Sequence, residues 1–133
     1  MEYKIDISTY IYVIVMILMF FCGTALSQTF TTNETFKDNI AKDITVIEFW
    51  ADWNKANQFN ELNKLKECSQ YRVDIMSHPD LQTNYNITGI PTIIIFDNGI
   101  EKERFLPNII FQLEANKKVI QNSIDTITLN KFQ

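Results

Sequence analysis

The stretch Val46-Ile-Glu-Phe-Trp-Ala-Asp-Trp-Asn-Lys-Ala-Asn-Gln58 constrains the fold of this chain more than any other. Val46 to Trp50 is β-branched and aromatic with no turn former, which predicts a buried strand. Asn54 is a residue type suited to a helix N-cap, and Phe59, Leu62 and Leu65 follow at helical spacing. A helix is therefore expected from the Asn54 turn to about Lys66. A strand apolar on both sides needs cover on both sides, so the rest of the chain has to supply helices for two layers.

A second stretch, Gly89-Ile-Pro-Thr-Ile-Ile-Ile-Phe-Asp-Asn-Gly99, reads as another buried strand, entered through Ile90-Pro91 and left through an Asn-Gly hairpin turn. Together the two stretches resemble the thioredoxin family. There a central strand leads through Trp and Cys-x-x-Cys into a helix, and a cis-proline loop faces that turn. The resemblance covers roughly Thr31 to Ile127. It implies a thioredoxin-like α/β fold, a central mixed β-sheet flanked by helices on both faces, with Ile90-Pro91 as a cis peptide. Both cysteine positions of the motif carry asparagine here, Asn54 and Asn57, and the intervening Gly-Pro of the family is Lys55-Ala56.

The remaining elements follow in order. Residues 1–27 have the character of a signal peptide, with an apolar run from Ile11 to Cys22 and a small-residue site at Ala25-Leu-Ser27. Glu2, Lys4 and Asp6 give the n-region no net positive charge, so an uncleaved anchor over residues 10–26 is the alternative. Either way residues 28–133 are expected to form the domain, outside the cytoplasm and so periplasmic or secreted. Thr31-Thr-Asn-Glu34 has the form of a capping box opening a first helix. Strands are expected at Ile44–Trp50, Gln70–Ile75, Thr92–Phe96 and Ile100–Phe105, with a short helix at Pro79–Tyr85. A last helix is expected over about Gln112–Ile127, with Leu113, Ile120, Ile124 and Ile127 as its apolar stripe.

The chemistry is narrow. Disulfide exchange needs a thiolate and a second thiol to resolve the mixed disulfide, and a carboxamide supplies neither. Glu48 and Arg72 fall at the positions that the resemblance assigns to a buried acid and its basic companion, and are read as a structural ion pair. After cleavage Cys68 would be the one remaining cysteine, read as a half-buried small hydrophobe. His78 is the only histidine, with no ligand cluster around it, so no metal and no cofactor is expected. A net charge of −4 argues against nucleic acid. What the resemblance leaves is a peptide-binding groove of Trp53, Asn54, Asn57, Ile90 and Pro91, and another polypeptide as partner. The expected function is an exported, redox-inactive binding module, chaperone-like or an accessory subunit of an envelope complex. The alternatives are a monothiol oxidoreductase using Cys68 and a membrane-tethered structural subunit.

Overall fold

The computed structural model describes residues 7, 11, 12 and 30–133. Apart from those three positions, the expected signal peptide or anchor over residues 1–27 lies outside the described residues. No helix among the described residues is long and apolar enough to cross a membrane.

The elements are α1 (Asn33–Ile40), β1 (Ile44–Trp50), two 3-10 turns (Asp52–Asn57 and Leu62–Lys64), β2 (Ser69–Asp74), α2 (Pro79–Asn84), β3 (Thr92–Asp97), β4 (Ile100–Phe105) and α3 (Lys117–Asn130). The four strands form one sheet in the order β2-β1-β3-β4. β1 and β2 run parallel with Glu48 opposite Arg72, whereas β3 is antiparallel to both β1 and β4. Asn98 and Gly99 join β3 to β4 with φ of 48° and 83°, the two positive values that a tight hairpin turn requires. This is the thioredoxin-like α/β arrangement expected, and Ile90-Pro91 is cis.

Side chains alternate across β1 and β3 and build two apolar layers. On the first face Ile47, Phe49, Ile94 and Phe96 meet Phe36 and Ile40 of α1 and Leu81 of α2. Phe36 packs among Phe49, Tyr85 and Phe96 with ring centroids 4.9–6.2 Å apart. On the second face Val46, Ile93 and Ile95 meet Phe59, Leu62 and Leu65 from the turn region and Ile120 and Ile124 of α3.

Three expectations are corrected. The continuous helix from Asn54 to about Lys66 does not form; a kinked six-residue 3-10 segment and a single 3-10 turn stand in its place, separated and ended by extended residues at Gln58 (ψ 142°) and Leu65 (ψ 144°). Asn54, Asn57, Asn60 and Asn63 are poor helix formers whose side chains compete for backbone groups. Phe59, Leu62 and Leu65 nonetheless all reach the core, because a spacing of three matches the three-residue period of 3-10 geometry. The last helix begins at Lys117 rather than Gln112: Asn116 is its N-cap, accepting a hydrogen bond from Val119 N–H at 3.1 Å. Leu113 still packs on the second face, but from a loop. The capping box of α1 lies one residue on, at Thr32 and Thr35, where the Thr35 hydroxyl accepts from Thr32 N–H at 3.2 Å.

Candidate functional site

The 3-10 turn Asp52–Asn57 leaves the carboxyl end of β1 and brings two carboxamides together: Asn57 Nδ2 donates to Asn54 Oδ1 at 2.8 Å. That bond orients the Asn54 amide so that its Nδ2 faces away from the turn. Nδ2 donates to the Ile90 carbonyl at 3.1 Å and to the Phe111 carbonyl at 3.0 Å. Asn54 is therefore not a helix cap. It lies inside the turn at φ −110°, ψ 23°, and its side chain reaches across to two other segments.

The first of those segments is the cis-proline loop. Ile90 and Pro91 are buried, and Thr92 Oγ1 donates back to Gly89 O at 2.7 Å. A Cβ on Gly89 would lie 2.9 Å from Pro107 Cγ, so only glycine allows Pro107 to seat there.

The second segment is the loop between β4 and α3, which sequence reasoning placed partly in the last helix. Pro107 pairs with Leu113 in an isolated antiparallel bridge. Asn108 fills the loop: its Oδ1 accepts from Ile110 N–H and Gln112 N–H, both at 3.0 Å, and its carbonyl accepts from Phe111 N–H. Phe111 sits at φ 58°, a strained value for a residue with a side chain, and its ring meets Trp53 edge-on at 5.6 Å. Trp53 remains 60% exposed. Trp53, Asn54, Asn57, Ile90 and Pro91 thus lie at one end of the sheet, with Phe111 added to them. The Pro107-Asn108 pair was the available signal, as a turn former next to a residue that bonds its own backbone.

Beneath this end, Glu48 and Arg72 face the same side of the sheet and are buried, at 0% and 1% exposure, with Arg72 Nε 2.6 Å from Glu48 Oε2. Each also holds one end of Phe59. Glu48 Oε1 accepts from Phe59 N–H at 2.7 Å, and Arg72 Nη2 donates to Phe59 O at 3.1 Å. Burial pushes the Glu48 carboxyl above its ordinary value, while the Arg72 charge and the two donors pull it down.

Cys68 lies before β2, in the segment after the second 3-10 turn. It packs against the second face, and desolvation pushes its thiol up to about 11 despite a hydrogen bond from Gln70. His78 precedes α2, and no group of His, Cys, Asp and Glu among the described residues is placed to hold a metal.

The family model described as Thioredoxin matches residues 27–125. The chain belongs to the thioredoxin family. Thioredoxin from Mycoplasma genitalium is 33% identical over 76 residues, covering 50% of this chain and 74% of that protein. Thioredoxin from Chlamydia trachomatis is 32% identical over 79 residues, covering 55% and 78% respectively. Among solved structures, a mutant thioredoxin from Halobacterium salinarum superposes with a TM-score of 0.60 at 18% identity, over 74% of this chain and 88% of that one. The fold is that of a thioredoxin, and in the turn that follows β1 this chain carries a hydrogen-bonded pair of asparagines, Asn54 and Asn57.

Proposed function

We propose that this thioredoxin-family domain is redox-inactive and works as an exported module that binds another polypeptide, as a chaperone-like holder or an accessory subunit. The observation that carries the reading is the Asn54–Asn57 pair, joined at 2.8 Å where a dithiol would stand. A carboxamide neither attacks a disulfide nor resolves one. The described residues hold one cysteine, Cys68, whose raised pKa keeps it protonated near neutral pH and disfavours the monothiol reading. Export is supported by the apolar run Ile11–Cys22 and the small residues after it.

A polypeptide partner fits the exposed Trp53 beside the cis-proline loop, an aromatic anchor next to backbone that an extended chain can pair with. The purified protein is expected to show no turnover in an insulin-reduction assay. Turnover that Cys68→Ser abolishes would replace this reading with the monothiol one. A protein held unfolded by reduction and carboxamidomethylation is a suitable binding probe. Trp53→Ala is expected to weaken its binding by about 2 kcal/mol, read by calorimetry. Mass analysis of the native N-terminus decides between the cleaved module and a membrane-tethered subunit.

A further inference from the structure

The loop from Pro107 to Leu113 lies across the site where the polypeptide would pair. Its Phe111 ring covers an edge of Trp53, and Asn54 ties the Phe111 carbonyl and the Ile90 carbonyl to a single amide nitrogen. The Ile90 carbonyl is the backbone acceptor immediately before the cis-proline, so the bond from Asn54 already occupies it. The loop is closed upon itself by Asn108 and the Pro107–Leu113 bridge, so it can move as one piece. Few apolar contacts hold its tip: Ile109 is 97% exposed, and Ile110 and Phe111 are also exposed.

We propose that this loop is a strap that occupies the groove in the free protein, that Asn54 is its latch, and that an extended polypeptide binds by displacing it. The inference rests on the polypeptide-binding reading. The ligand competes with Asn54 for the Ile90 carbonyl and with Phe111 for contact with Trp53, so the apparent affinity is reduced by the fraction of molecules with the strap open. Asn54→Ala removes both latch bonds. Phe111→Gly removes the ring on Trp53 and relaxes the positive φ.

The test measures hydrogen exchange across residues 107–113 and affinity for the unfolded, carboxamidomethylated polypeptide, in the wild type and both variants. Each variant is expected to speed exchange in the strap and tighten binding, on the order of ten-fold for Asn54→Ala. Saturating polypeptide is expected to speed strap exchange in the wild type while leaving β1 and β3 unchanged. Faster exchange with unchanged or weaker affinity would overturn the strap and leave the binding reading standing, with the loop as a spectator or as part of the surface itself. No binding by any of the three proteins, with the strap exchanging freely in the variants, would overturn the binding reading and the strap with it.

Discussion

On one face of the sheet, α1 and α2 lay regular helix over an apolar and aromatic cluster centred on Phe36. On the other, α3 shares the cover with the irregular segment from Phe59 to Leu65, and a buried ion pair stands among the aliphatic side chains. The two features of the second face belong together. A helix bonds its own backbone, whereas the chain from Gln58 to Ser69 has buried and half-buried peptide groups that need partners from elsewhere. Glu48 and Arg72 take the N–H and the carbonyl of Phe59. Gln121 of α3 does the same for Lys66, accepting from its N–H at 2.9 Å and donating to its carbonyl at 3.1 Å, and Gln70 donates to Leu65 O at 2.8 Å. Where one face has a helix, the other has side-chain brackets.

The largest expected effect breaks the upper bracket. Arg72→Met leaves Glu48 buried without its countercharge, which costs about 3–5 kcal/mol of stability in urea unfolding. Phe36→Ala on the first face costs a similar amount, about 3–5 kcal/mol, through a cavity. A second substitution at the ion pair separates the stranded charge from the lost bracket. Adding Glu48→Leu to Arg72→Met removes that charge, and replacing a buried ion pair by apolar groups is otherwise near neutral or stabilising. The pair is not ideal in itself, since Arg72 Nη1 has no hydrogen-bond partner among the described residues. The double variant is therefore expected to recover part of the loss and remain about 1–3 kcal/mol short, the cost of leaving Phe59 N–H and O unpaired. Full recovery would show that the pair does not hold the irregular cover.

The same contrast explains what the sequence discloses. β1, β3 and β4 are legible because near-continuous apolar runs and an Asn-Gly turn have few other readings. Glu48 and Arg72 are placed together by strand alternation once β1 and β2 lie side by side. The second face is harder. Phe59, Leu62 and Leu65 recur every third residue, which fits both a 3.6-residue helix and a 3-10 turn, and the asparagines between them decide for the turn. Asn54 is harder still: its carboxamide suits a cap or a reach across the site, and only the backbone angles of the turn select the second. The strap was hidden because Leu113 continues the apolar stripe of α3 although Asn116 starts that helix after it.

The lower bracket is more exposed and its loss is expected to be smaller. Gln121→Ala removes both bonds to Lys66, where water can replace them in part, so a loss of about 1 kcal/mol is expected from urea unfolding. A loss as large as that of Arg72→Met would place the weight of the second face on α3 rather than on the ion pair.

The smallest effect on stability, and the most local probe of this cover, is at Cys68. Its side chain packs against the second face two residues after Lys66, and burial raises its pKa from the ordinary 9.0 to about 11. Because the thiolate is the reacting form, a raised pKa makes the folded thiol slow at pH 8. A shift of that size leaves about 100-fold less thiolate than in the unfolded chain. Alkylation by iodoacetamide is therefore expected to be slow at pH 8 in the native protein and to climb as pH rises towards 11. It should be fast at pH 8 in urea. If the bracket keeps the cover down over Cys68, Gln121→Ala speeds alkylation at pH 8 several-fold while leaving Phe36 and the first face undisturbed. A native rate at pH 8 equal to that in urea would mean the thiol is not shielded. An unchanged rate in Gln121→Ala would mean that β2 and Gln70, rather than the irregular cover, hold water away from the sulfur.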